Sequence, residues 1–144
     1  MDDSRIDRLK LENQICFPLY ACSKEIVRKY KPHLDKLNLT YTQYITMLVL
    51  WEKKELNVKE LGKQLFLDSG TLTPVLKKLE QKGYVNRNRS TRDERNLIVS
   101  ITEKGERLRS EAAEIPLKIE QSVDFSGEDC KELYRLLYKL MGLL

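Results

Sequence analysis

Histidine and tryptophan occur once each in this chain of 144 residues, as His33 and Trp51, and cysteine three times, as Cys16, Cys22 and Cys130. So few and so widely spaced ligands argue against a zinc site, and an odd number of cysteines argues against a disulfide framework. His33 reads as a surface residue and Trp51 as a core one. Six glycines and four prolines are few, and 41% hydrophobic with 33% charged residues is the balance of a helix-rich globular chain, not a disordered one. No run approaches the roughly 18 apolar residues a membrane-spanning helix needs, and the charged opening MDDSRIDRLKLENQ cannot hold a signal-peptide apolar region. The expectation is a cytoplasmic protein of one domain, without cofactor or membrane contact, large enough to bury a core unaided.

What the chain does have is an uneven distribution of charge. Between Ser69 and Arg95 lie seven Lys or Arg against three acids, an excess equal to the whole net charge of +4. A basic stretch alone is more often a solvated face than a binding site, so its meaning depends on the elements that carry it.

Apolar residues Ile15, Leu19, Cys22 and Ile26 recur at helical spacing and predict a long first helix from about Leu9 to Tyr30, kinked at Pro18. Pro32 ends that helix or starts a short one through Leu37. Thr40 suits an N-cap for a helix to Glu52, with Tyr44, Leu48 and Trp51 inward. Asn57 caps a short helix, Val58 to Phe66. The next segment, LDSGTLTPVLKKLEQKG, turns Leu72, Val75, Leu76 and Leu79 inward and stops at Gly83. Two starts fit it: a cap at Asp68 with Pro74 in the second turn, or a cap at Thr73 with Pro74 first. YVNRNRS and NLIVSIT, parted by TRDER, read as a hairpin. Thr102 caps a helix through about Gln121, kinked at Pro116. Ser126 opens a last helix whose stripe of Leu133, Leu136, Leu137, Leu140, Met141 and Leu144 is broader than one small domain covers.

This order of elements is that of a winged helix-turn-helix: mainly α, with a small β-hairpin wing. Residues 41–102 form the winged core, and 9–37 and 103–144 form N- and C-terminal dimerisation helices. The second helix of the motif fits the major groove of double-stranded DNA, where Ser69, Thr71, Thr73 and Pro74 face bases and backbone and Lys77 and Lys78 neutralise phosphates. Arg87, Arg89, Arg92 and Arg95 sit on or near the wing, within reach of a narrow minor groove. A homodimer with two-fold symmetry predicts an inverted-repeat operator with half-sites about 34 Å apart.

The segments LENQICFPLY, LNLTYTQY, LDSGTLTPVLKKLEQKGY and RSTRDER resemble the multiple-antibiotic-resistance regulator (MarR) family, and within it the organic hydroperoxide resistance type. The resemblance implies one MarR-type domain over 1–144, acting as a repressor that leaves its operator when a cysteine near the N-terminus is oxidised by an organic hydroperoxide. Here that cysteine is Cys16. The family holds its sulfur near tyrosine hydroxyls, which favour the attacking thiolate; the matching positions are Tyr30 and Tyr41, with Tyr20 one turn from Cys16. On the wing, Asp93 and Arg95 match a pair in which the aspartate braces the hairpin and the arginine reaches the minor groove. A sulfenic acid on Cys16 would condense with a second thiol. Two-cysteine members of the subgroup imply Cys130 of the other subunit; a small cellular thiol is the alternative. Cys22 lies about 9 Å along a continuous helix from Cys16, too far for a bridge, and reads as a buried, inert residue.

Two other functions compete. A small aromatic ligand between the dimer helices and the reader would keep the repressor and replace the thiol as trigger. A thiol peroxidase would make the protein an enzyme, but the fixed arginine and substrate groove that turnover needs are not evident, so a non-enzymatic regulator is expected.

Overall fold

The computed structural model describes residues 3–92 and 96–144. They fall into two compact units, Met1–Ala113 and Glu114–Leu144. The first opens with α1 (Asp3–Asp7) and a single 3-10 turn (Leu11–Asn13), followed by α2 (Cys16–Asp35). The expected first helix therefore starts later and runs further. Pro18 is the third residue of α2, where a helix lacks intrahelical partners for its N–H groups, so it marks the start and not a kink. Pro32 lies inside α2, which continues to Asp35. Asn38 then turns left-handed (φ 55), and the Leu39 N–H returns to the Leu34 carbonyl at 3.0 Å.

Thr40 caps α3 (Tyr41–Lys53) in a reciprocal box with Gln43. Tyr44, Met47, Leu50 and Trp51 are buried, whereas Leu48, expected inward, is 43% exposed because it lies on the other side of the helix from Met47 and Leu50. Strand β1 (Glu55–Asn57), not foreseen in the sequence, leads into α4 (Val58–Leu65), capped by Asn57. After α5 (Ser69–Gln81), Gly83 at φ 80 closes the helix: its N–H returns to Glu80 and that of Tyr84 to Leu79. The hairpin forms as β2 (Val85–Arg89) and β3 (Leu97–Ile101), with β3 central in an antiparallel sheet of order β1-β3-β2. Leu61, Leu72, Leu76, Leu79, Val85 and Val99 join the α3 residues in the core beneath α5.

Thr102 caps α6 (Glu103–Ala112), as expected, but the helix stops there. A separate α7 (Ile115–Gln121) carries Pro116 in its first turn, where the missing N–H costs nothing; the expected kink is a break. Ser126 caps α8 (Gly127–Met141) by accepting from the Asp129 N–H at 3.1 Å. No residue of α8 is buried.

Candidate nucleic-acid interface and thiol site

Asp68 decides where α5 begins. Its Oδ1 accepts from the Thr71 N–H at 2.7 Å, and this bond, joined by the Thr71 hydroxyl, holds the carboxyl below the usual carboxylate range. Pro74 is thus inside the helix. Leu72, Val75, Leu76 and Leu79 anchor one side of α5 in the core. Ser69, Thr71, Pro74, Lys77 and Lys78 are left exposed, with Thr73 half-buried: one continuous face of small hydroxyls followed by two cations.

The wing divides its arginines. Arg89 and Arg92 are exposed. The Arg87 side chain is only 19% exposed, and its Nη2 donates to Glu80 Oε1 at 3.1 Å. The Arg87 main-chain N–H donates to the other Glu80 oxygen, also at 3.1 Å. The guanidinium bond is the main reason the Glu80 carboxyl sits below its ordinary range. Asp93 and Arg95, and with them the expected brace and minor-groove contact, lie outside the described residues.

Lys82, at the end of α5, turns inward. Its Nζ donates to Gln43 Oε1 at 2.9 Å and to the Asn38 carbonyl, tying the end of α5 to the junction of α2 and α3. Burial, with Lys78 nearby, lowers its pKa. Charge counting in the sequence could not separate this lysine from Lys77 and Lys78.

Cys16, Cys22 and Cys130 are free and exposed, so Cys22 is not the buried residue expected. Cys16 is the first residue of α2, the end at which a helix's open backbone N–H groups lie. Tyr20 follows one turn later, exposed, with the Lys24 ammonium 6.0 Å from its ring centre. Tyr30 and Tyr41 meet edge to face, with ring centres 5.1 Å apart. Tyr44, which the sequence offered only as a core residue, completes the cluster at 5.7 Å from Tyr30. Burial raises all three phenols, Tyr44 to about 12 with Tyr30 and Tyr41 adding to the effect. Cys16 and Tyr30 are 14 residues apart on one helix, about 21 Å of rise, so a single chain does not bring the sulfur to these hydroxyls. Among the described residues, no three His, Cys, Asp or Glu side chains are grouped to hold a metal. No helix among them is long and apolar enough to cross a membrane.

Over 142 residues the chain is 51% identical to the organic hydroperoxide resistance transcriptional regulator of Bacillus subtilis (strain 168), covering 99% of this chain and 97% of that one. The profile of transcriptional regulator SarA/Rot matches residues 28–112. The chain belongs to the MarR family, organic hydroperoxide resistance type. Its relatives are transcriptional regulators and not enzymes. Among solved MarR-family structures, reduced AbfR bound to DNA is 32% identical over 99% of each chain, with a TM-score of 0.79. Disulfide-formed AbfR, also 32% identical, covers 98% of this chain and 99% of that one at a TM-score of 0.65; the AbfR protein is from Staphylococcus epidermidis. This MarR-family chain thus shares the fold of these regulators.

Proposed function

We propose that the chain is a homodimeric, cytoplasmic repressor that binds inverted-repeat operator DNA when reduced and leaves it when an organic hydroperoxide oxidises Cys16. The observation that carries this reading is a free, exposed Cys16 at the head of α2 in a chain half identical to an organic hydroperoxide resistance regulator. In this reading α5 enters the major groove, with Ser69, Thr71, Thr73 and Pro74 toward bases and backbone and Lys77 and Lys78 on phosphates. Arg89 and Arg92 extend from the wing to the minor groove.

The dimer follows from apolar surface without cover. Leu133, Leu136, Leu140, Met141 and Leu144 are exposed on or beside α8, as are Ile15, Leu19 and Ile26 on or beside α2. A second copy burying these stripes supplies what one chain lacks. An antiparallel approach of two α2 helices also offers each Cys16 the Tyr30 and Tyr41 hydroxyls of the other copy, since its own lie about 21 Å away.

The chemistry is a two-electron oxidation of sulfur. The Cys16 thiolate attacks one peroxide oxygen, the O–O bond breaks, and the alkoxide leaves as an alcohol after taking a proton. The product is a sulfenic acid. A second thiol then attacks that sulfur, and hydroxide leaves as water once protonated. Cys130 of the other copy is one such thiol and a small cellular thiol the other. Either product alters the packing around α2, and the α2–α3 junction that follows it is bonded through Lys82 to α5.

A second trigger has one observation in its favour. A surface cavity of about 440 Å³ is lined by Lys24, Arg28 and Lys31 together with Val27, Leu34, Leu39 and Tyr41, and although Asp35, also in the lining, pairs with Lys31, the apolar walls and the remaining cations suit a small aromatic acid. Fluorescence anisotropy on duplex DNA from upstream of the chain's own gene separates the two. Binding lost after organic hydroperoxide in the wild type but kept in Cys16→Ser supports the thiol switch. Binding that ignores peroxide and responds to an aromatic acid moves the trigger to the cavity.

A further inference from the structure

Residues two apart on a strand share a face. On β2, Val85 and Arg87 lie on one side, while Asn86 and Asn88 are exposed on the other. Val85 is 1% exposed, so its side is the one packed inward and Arg87 shares it. Glu80, in the last turn of α5, holds Arg87 with both carboxylate oxygens, one on the guanidinium and one on the main-chain N–H. The second bond fixes the β2 backbone itself to the reading helix. It is independent of where the arginine side chain goes.

We propose that Arg87 is a positioning residue, clamped by Glu80 to set the wing against α5, and that it makes no contact with phosphate. The proposal rests on the DNA-binding reading above. To reach a phosphate, Arg87 must exchange one anion for another, and it leaves the Glu80 carboxylate unpaired beside a polyanion. Nothing is gained in charge, and of the two bonds between helix and wing only the main-chain one remains. Among the described residues Arg87 Nε is buried with no hydrogen-bond partner, as fits a guanidinium facing into the protein. Arg89, two residues further along the same face, is exposed where the strand leaves the core.

The salt dependence of operator binding tests this, because each phosphate contact contributes about 0.9 to the slope of log affinity against log salt. Lys77→Ala is the control and lowers the slope by about 1. Arg87→Gln and Glu80→Gln are each expected to weaken binding about tenfold at unchanged slope, with the double variant no worse than the weaker single. Thermal melts monitor folding. Should either single variant fail to fold, Glu80→Arg combined with Arg87→Glu, which keeps the net charge, carries the test, and recovered affinity supports the clamp. A slope lowered by about 1 in Arg87→Gln, with Glu80→Gln binding as tightly as wild type or more tightly, would overturn it. A wild-type protein that binds no operator fragment overturns the DNA reading instead.

Discussion

The indole N–H of Trp51 on α3 donates to the carbonyl of Gly105 on α6 at 2.9 Å, inside the protein. The Gly105 N–H in turn donates to Thr102 Oγ1 at 3.0 Å, and the Thr102 hydroxyl donates to the Gly83 carbonyl at 2.6 Å. Three buried or half-buried bonds thus run from α3 through the start of α6 to the end of the reading helix. They fix the point from which the wing departs.

That chain depends on Gly105 having no side chain. A Cβ there would collide with the Tyr84 carbonyl oxygen and lie 3.0 Å from Ile101 Cγ1, and a backbone neighbour cannot rotate aside. Gly105→Ala is expected to cost about 2 kcal/mol or more of stability. Urea denaturation measures it; an unchanged midpoint would mean that the turn relaxes around the methyl group.

Much of this was legible in the sequence because it is local. Thr40, Asn57, Thr102 and Ser126 each cap the helix they precede, and each signal lies within a few residues of its effect; Asp68 caps α5, where the sequence fitted Thr73 equally well. What escaped depends on distance or on context. Strand β1 is three residues long, too short to show alternation, and exists through its pairing with β3. The Glu80 to Arg87 pair joins a helix to a strand, so Arg87 was indistinguishable from Arg89 by composition. Prolines 18, 32 and 116 each suit a helix start or a kink equally well. Cys22 shares an apolar stripe, which predicts burial, but no part of its own chain buries it.

The tyrosine cluster carries a pH signature. Tyr44 is pushed up to about 12 from an ordinary 10.0, mainly by burial. A phenol harder to ionise in the fold than in the unfolded chain contributes fully below pH 10 and loses that contribution as pH climbs toward 12. Stability is expected to fall across this window, and to fall less steeply in Tyr44→Phe. Denaturation midpoints taken from pH 9 to 12 check it; parallel curves would place the alkaline loss in other groups. Near neutral pH all three hydroxyls keep their protons and remain donors.

The second thiol is open to direct observation. After organic hydroperoxide, non-reducing electrophoresis is expected to show a dimer of crosslinked chains in the wild type and single chains in Cys16→Ser and in Cys130→Ser, with Cys22→Ser behaving as wild type. A crosslink that survives loss of Cys130 would assign the partner thiol to Cys22 if Cys22→Ser abolishes it, and to the other copy's Cys16 if it does not. Single chains in every case, carrying the mass of an added small thiol, would assign it to the cellular pool.

In the proposed homodimer the stripe on α8 holds the two copies together on the operator. Burying a leucine is worth about 1.5 to 3 kcal/mol, so charging both Leu136 and Leu140 removes four such side chains from a symmetric dimer. That loss is comparable to the whole free energy separating a nanomolar from a millimolar association, about 8 kcal/mol. Leu136→Glu with Leu140→Glu is therefore expected to sediment as a monomer at micromolar concentration, with its far-UV circular dichroism retained because α8 buries nothing within its own chain. Its operator affinity should drop at least a hundredfold, since a monomer gains one half-site where a dimer gains two. A variant that still sediments as a dimer would move the interface from α8 to the exposed stripe of Ile15, Leu19 and Ile26 along the start of α2.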